Sequence, residues 1–381
     1  MKYVISSYNT ISMGTRIVTE YLVKYLSEKK HIGCNDRFYV VLPNSKIHRE
    51  MQQLVRCDNT RLICFYNFGN YLRFVLRCFY DFLIFPLLTF FVRPQSVLIM
   101  ANYCPTKVFG KKIVFMRHSY LVDDNICQQV SLGTRVIEKL RRLSFNLTIK
   151  STDVLIVQTN HMKKLISDKY AQANIDIEVL PNPIIDALNS RKKRIKRPTL
   201  SEKYFLYPSR YYPHKNHTFI AKLAQKYSSE LREKNMKFLI TINPKSAKDT
   251  IRFLNFIRNE GLDDIVMNIG ELPQEKLMEY YLKAELLFFP SKSESFGNPI
   301  VEAMAFGLPI IVPDIGYTRA LCGECAAYYR DDSIDDAYNK LILICENEDL
   351  WEKHSQQSFE QSKSFPSVSE WAHRLLTIMK S

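Results

Sequence analysis

No long apolar stretch follows the amino-terminal lysine, so MKYVISSYN reads as a first strand and not as a secretory leader. The nine cysteines are odd in number and lack framework spacing, which excludes a disulfide scaffold and points to a reducing cytoplasm. Cys322 and Cys325 form a C-x-x-C, but no second pair accompanies them, so the spacing reads as chance. No internal repeat or low-complexity block is visible. What is there is a chain of 381 residues, 46% apolar and 24% charged, the composition of a folded soluble protein with room for two cores.

The net charge of +14 is unevenly placed. Residues 1–186 hold 25 lysines and arginines against 14 acidic residues, whereas residues 187–381 hold 28 against 25. A helix-turn-helix, zinc-finger or RNA-binding signature is lacking, so nucleic acid is excluded as the partner. An anionic membrane surface suits the basic first half better. The segment 67–93, NFGNYLRFVLRCFYDFLIFPLLTFFVR, supports that partner by mixing Phe, Tyr and Leu with Arg73, Arg77 and Arg93. Its apolar run at 82–92 is too short to span a bilayer and is interrupted by Pro86. It reads either as an interfacial helix or as an ordinary core helix, and one helix can serve both ends with different faces.

Apolar runs alternate with helical patterns along the whole chain, which predicts parallel sheets with helical crossovers and an α/β fold. Strands are expected at 2–7, 38–42, 61–67, 96–100, 112–117, 153–159 and 177–183, then at 203–208, 237–242, 264–270, 285–291 and 308–313. The expected organisation is a first domain over 1–186, a linker over 187–200 and a second domain over 201–365. A helix at 366–381 follows, with a crossing back to the first domain left open. The linker contains the basic run RKKRIKRP (191–198), read as solvated. In doubly wound sheets ligands bind beyond the carboxyl ends of strands, so the residues just after each strand are the ones to examine.

The most informative segment is PSKSESFGNPIVEAMAFGLPIIVP (290–313). It reads as a strand end, a tight loop, a capped helix and a second strand. Asn298 suits the N-cap, Pro299 suits the first helical position, and Gly307 suits the helix end. Glu294 then lies in the loop and Glu302 one turn inside the helix. Amides near Gly297 and Asn298 offer an anion site at the positive end of the helix dipole. Carboxylates around such a site suit a ligand carrying both hydroxyls and phosphates, as a nucleotide sugar does.

Taken as a unit, that run closely resembles the E-x7-E region of retaining family-four glycosyltransferases, which have the GT-B fold. Two further stretches carry the resemblance: YPSRYYPHKNHTFIAKLA (207–224), and SFNLTIKSTDVLIVQTNHMKKLI followed by VLPNPI. It covers most of the chain, while the first hundred residues match only in outline. The resemblance implies two doubly wound Rossmann-like domains facing each other across a cleft, the first for the acceptor and the second for the donor. It implies that Arg210 and Lys215 hold the donor diphosphate, with no cofactor and no metal, consistent with the lack of an Asp-x-Asp motif in a suitable loop. Glu302 is implied to hold the ribose and Glu294 the donor sugar, with amides from Ser295, Phe296, Gly297 and Asn298 near the sugar or diphosphate. Gly14, in the turn after the first strand, is implied to approach the diphosphate, although the family often has two glycines there. His118, after the strand KIVFMR, matches a histidine facing the donor sugar. His214 and His217 read as supports of the diphosphate loop. Ala320 stands where the family commonly has a glutamate.

The resemblance further implies a hexosyl transfer with retention, from a nucleoside-diphosphate sugar to a lipid-linked or polysaccharide acceptor in surface-polysaccharide assembly. It implies a cytoplasmic protein, peripheral on the inner face of the plasma membrane. The PHKNH segment looks like mannosyltransferase members and favours GDP-mannose over UDP-sugars. An epimerase or glycosyl phosphorylase on the same fold is the alternative enzyme class. A catalytically dead nucleotide-binding scaffold is the third.

Overall fold

The computed structural model describes residues 1–8, 13–28, 35–43, 45–55, 58–65, 73–100, 102–104, 106–123, 132–185, 188, 196–245 and 247–381. The chain divides into two compact units. The first comprises Met1–Pro183 with Val368–Ser381, and the second comprises Ile184–Ser367.

The first unit holds seven strands: β1 (Lys2–Ser6), β2 (Arg37–Leu42), β3 (Thr60–Cys64), β4 (Ser96–Ile99), β5 (Lys111–Phe115), β6 (Val154–Val157) and β7 (Asp176–Val179). They pair in the order β3-β2-β1-β4-β5-β6-β7, all parallel. The runs are apolar on both faces because helices cover both sides. Alternate residues such as Tyr3, Ile5, Leu98 and Phe115 pack with Trp371, Leu375 and Met379 of the last helix, Val368–Lys380. Their neighbours Val4, Val97, Val114 and Leu155 pack instead with Tyr80, Phe85, Phe145 and Ile149 on the opposite face.

The second unit holds β8 (Lys203–Tyr207), β9 (Met236–Ile240), β10 (Val266–Asn268), β11 (Leu286–Phe288), β12 (Ile310–Pro313) and β13 (Ala327–Tyr329), in the order β10-β9-β8-β11-β12-β13. Strand β13 was not foreseen, since three residues, AYY, carry too little periodicity to announce a strand. Both sheets are doubly wound α/β, as expected. In each, the strand order reverses beside the first strand, between β1 and β4 and between β8 and β11. Those reversals are where a doubly wound sheet opens a crevice at its carboxyl edge.

Two local expectations need correction. Pro86 does not interrupt the apolar run. Helix Arg73–Phe79 passes through a π-helical turn, Tyr80–Ile84, into helix Phe85–Val92, and Pro86 sits in the first turn of the last. There the missing amide matters least, and the widened turn before it accommodates the ring. Residues 66–72 of the same segment lie outside the described residues. The second correction concerns RKKRIKRP. Its residues 191–195 also lie outside, but Arg197 is not solvated. Its guanidinium donates to Glu285 (2.8 Å) and to the Cys345 carbonyl (2.6 Å) and packs on the Trp351 ring.

Candidate active site

The two loops at the second unit's reversal, after β8 and after β11, carry most of the residues singled out above. They are fastened to each other: the Lys292 amide donates to the His214 carbonyl at 2.8 Å. Two buried tyrosines pin them from below. The Tyr207 hydroxyl donates to the Lys215 carbonyl, and the Tyr317 hydroxyl donates to the Ser291 carbonyl at 2.6 Å. Such hydroxyls need partners once their rings are buried, and loop carbonyls supply them.

Across this junction Lys215 Nζ forms an ion pair with Glu294 Oε1, and Ser291 Oγ donates to the same oxygen at 2.8 Å. Both side chains of the pair are mostly shielded from water. Arg210 leaves the same β8 loop but does not join them. Its Nε donates to Glu271 at 2.9 Å, just beyond β10, and Asn243 also donates to Glu271. The hydrogen bond from Arg210 holds the Glu271 carboxyl below its usual value. His217 is buried among the rings of Tyr207, Tyr211 and Phe253, and burial, aided by the nearby Lys215 charge, pushes its pKa down to about 3. It is therefore a neutral, buried wedge under the loop.

The helix after β11 runs Asn298–Phe306, and its N-cap is Gly297, not Asn298. Gly297 has φ +96°, a backbone conformation that favours glycine, and a Cβ there would also crowd Leu321 Cδ2 at 3.2 Å. Asn298 and Pro299 accordingly move into the first turn. Gly307 ends the helix in a left-handed conformation, as its position implied. Phe296 is a core side chain, in edge contact with Phe365, so only its backbone faces the loop chemistry. Ser295 is half-buried beside it. Glu302 projects from the helix, with Tyr281 donating to its Oε2 at 2.8 Å. Burial pushes the Glu302 carboxyl above its ordinary value, and the Tyr281 hydrogen bond opposes that shift.

The remaining two candidates belong to the first unit. Gly14 lies inside the helix Met13–Leu26 and not in a turn ahead of it. The turn itself, residues 9–12, is outside the described residues. His118 follows β5, and its Nε2 meets Glu138 Oε2 at 3.0 Å. Glu138 is buried, which pushes its carboxyl up, yet bonding to His118 and Arg141 outweighs burial and leaves it below its ordinary value. Glu138 thus orients the imidazole.

Sequence reasoning missed Glu271, Tyr281 and Glu138, the partners of Arg210, Glu302 and His118. Glu271 was accessible by the rule that residues following strands matter. Tyr281 and Glu138 come from helices and had no local signal.

Residues 189–361 match the family described as glycosyl transferases group 1. The phosphatidylinositol N-acetylglucosaminyltransferase GPI3 subunit of Saccharomyces cerevisiae is 25% identical over 255 residues, covering 63% of this chain and 52% of that protein. The O-antigen chain mannosyltransferase B of Escherichia coli is 26% identical over 163 residues, 42% of each chain. This chain therefore spans about half the length of the curated relatives it matches. The crystal structure of Anabaena HepE in complex with UDP and glucose superposes with a TM-score of 0.72 at 13% identity, over 100% of this chain and 99% of that one. That likeness establishes the fold, two Rossmann-like units of the GT-B type.

Proposed function

We propose that this protein, whose residues 189–361 match the glycosyl transferases group 1 family, moves a hexose from a nucleoside-diphosphate sugar to a lipid-linked or polysaccharide acceptor, with retention of configuration. The observation that carries the proposal is the Lys215–Glu294 pair at the strand-order reversal of the second sheet. A donor entering there offers its pyrophosphate to Lys215 and its sugar hydroxyls to Glu294, replacing one ion pair by two better-matched sets of contacts. Arg210 exchanges Glu271 for the same pyrophosphate. Glu302, raised and half-buried, keeps one oxygen on Tyr281 and turns the other to the ribose. The backbone from Ser295 to Asn298 lies next to that path, at the helix's positive end.

Breaking the glycosidic bond leaves negative charge on the diphosphate, and fixed cations stabilise it more than the ground state. The working mechanism is a front-face displacement through an oxocarbenium-like state. The sugar–phosphate C–O bond breaks, the acceptor oxygen bonds to the same face, and a departing phosphate oxygen takes the acceptor proton. Arg210 and Lys215 carry the charge, so no divalent ion is required.

GDP-mannose is the first donor to try, because the PHKNH segment favours it and a relative is named a mannosyltransferase. Incubation with a panel of GDP- and UDP-sugars plus a polyprenyl-linked saccharide, read by nucleoside-diphosphate release and product mass, tests the proposal. The expected result is release with one donor, undiminished by EDTA, and a product heavier by one hexose. Release into an epimerised sugar, phosphate-dependent release, or none with any donor would defeat it.

We also propose that the first unit rests on an anionic membrane from the cytoplasmic side. No helix among the described residues is long and apolar enough to cross a membrane. Yet the helices covering one sheet face expose Phe82, Leu83, Leu87, Phe90 and Phe91, and helix Leu132–Ile149 exposes Val136, Leu140, Leu143 and Leu147 along one stripe. Arg93, Lys107, Arg135, Lys139 and Lys150 of the same unit are exposed as well. Exposed apolar side chains and exposed cations in the same unit suit a surface of anionic headgroups over acyl chains. Sedimentation should show binding to vesicles of phosphatidylcholine with phosphatidylglycerol. Binding should weaken with salt and disappear in Phe82→Asp/Phe91→Asp. Equal binding to pure phosphatidylcholine, or none to either, would refute this placement.

A further inference from the structure

Arg117 follows β5, one residue before His118, and its guanidinium has no anionic partner among the described residues. Nε and Nη2 are buried without a hydrogen-bond partner among the described residues. The group lies over the Phe115 ring at 4.3 Å, on the sheet face where Phe115 stacks with Trp371. Burial alone holds its pKa down to about 9. A guanidinium presents five N–H donors in a rigid fork, and leaving the three on Nε and Nη2 buried and empty is costly unless something arrives to fill them.

Its backbone is fixed with care. The Arg117 amide donates to Asn102 Oδ1 at 2.6 Å, and Asn102, just past β4, holds a left-handed conformation with φ +65°. Arg117 is thereby tied to the strand that borders the first sheet's order reversal, where such a sheet takes its ligands. The β5–β6 register ends with Phe115 opposite Ile156, and Arg117 and Gln158 each follow two residues further along their chains. Gln158 donates to Asn182 at 2.5 Å, while its Oε1 is buried without a partner. Unfilled donors and an unfilled acceptor thus follow two neighbouring strands, β5 and β6, at their carboxyl edge.

We propose that Arg117 and Gln158 form a binding site for a hydroxylated anion, a phosphoryl or carboxylate group with an adjacent hydroxyl. Arg117 takes two oxygens of the anion side by side, and Gln158 Oε1 accepts the hydroxyl. In calling this anion part of the acceptor saccharide, the inference rests on the transferase reading above. The site itself does not, since it is built wholly within the first unit. The acceptor then belongs to the acidic saccharides, phosphorylated or uronic.

Thermal unfolding of the full chain with inorganic phosphate, with glucose 6-phosphate and with glucuronate tests the site without any transfer assay. Wild-type protein should be stabilised by at least one of these anions. Apparent affinity should fall by roughly ten- to hundred-fold in Arg117→Met and in Arg117→Gln, the range for losing charge-assisted hydrogen bonds. Lys215→Ala should retain the Arg117-dependent response, which separates this site from the donor site. Gln158→Leu should weaken the hydroxylated anions more than inorganic phosphate. A response confined to the phosphates names a phosphorylated ligand, and one confined to glucuronate a uronic one. If every anion-induced shift survives in both Arg117 variants, or vanishes in Lys215→Ala, the site is refuted. An Arg117-dependent shift in a protein that transfers no sugar would sustain the site while removing the transferase reading.

Discussion

Lys215→Ala should lower turnover by about two to three orders of magnitude, the usual loss when one preorganised donor to a developing anion is removed. The effect should fall on kcat and kcat/KM together, because Lys215 acts most strongly once the diphosphate carries its full leaving charge. Folding should survive. Glu294 keeps the hydrogen bond from Ser291, and the loop keeps its Tyr207 anchor and the His214–Lys292 link. Removing one member of a shielded ion pair leaves the other uncompensated, so some stability is lost. Glu294→Gln in the same background should restore that stability without restoring turnover. A folded Lys215→Ala protein with normal kcat would remove Lys215 from the chemistry.

The second large effect concerns Trp371→Ala, which should cost the first unit about 3–5 kcal/mol. Trp371 is fully buried, and its helix closes one face of the first sheet. That helix is also hydrogen-bonded in place. Ser96 Oγ donates to the Met379 carbonyl at 2.6 Å, and Arg374 donates to the Val179 carbonyl at 3.1 Å. The chain has two tryptophans, and the other, Trp351, lies in the second unit with its indole donating to the Glu285 carbonyl at 2.9 Å. In Trp371→Ala, Trp351 fluorescence should report an unchanged second-unit transition in urea. Circular dichroism should show the first unit melting earlier. Coincident early melting by both probes would contradict the assignment of Trp371 to the first unit's core.

Much of the fold was legible because long apolar runs such as KYFLY, KFLI and IIVP, separated by amphipathic stretches, can only be strands buried on both faces between helices. The π-turn ahead of Pro86 was not legible, because proline looks the same in a broken run and in a first turn. Asn298 is a better N-cap by residue type than Gly297, and backbone geometry overruled residue type. At φ +96° any residue with a side chain is strained, and its Cβ would press on Leu321 Cδ2 at 3.2 Å.

By itself, the sequence determined what is local: which runs become strands, where Gly307 ends a helix, and that Glu294 precedes Glu302 across a helix start. Tertiary structure alone decided which charges meet. Lys215 and Glu294 are 79 positions apart, Arg210 and Glu271 are 61 apart, and no spacing along a chain states such a pairing. Strand order sets it, by laying β8 beside β11 and leaving β10 at an edge. The empty donors of Arg117 are likewise visible only in space, because solvation is a property of surroundings and not of residue type.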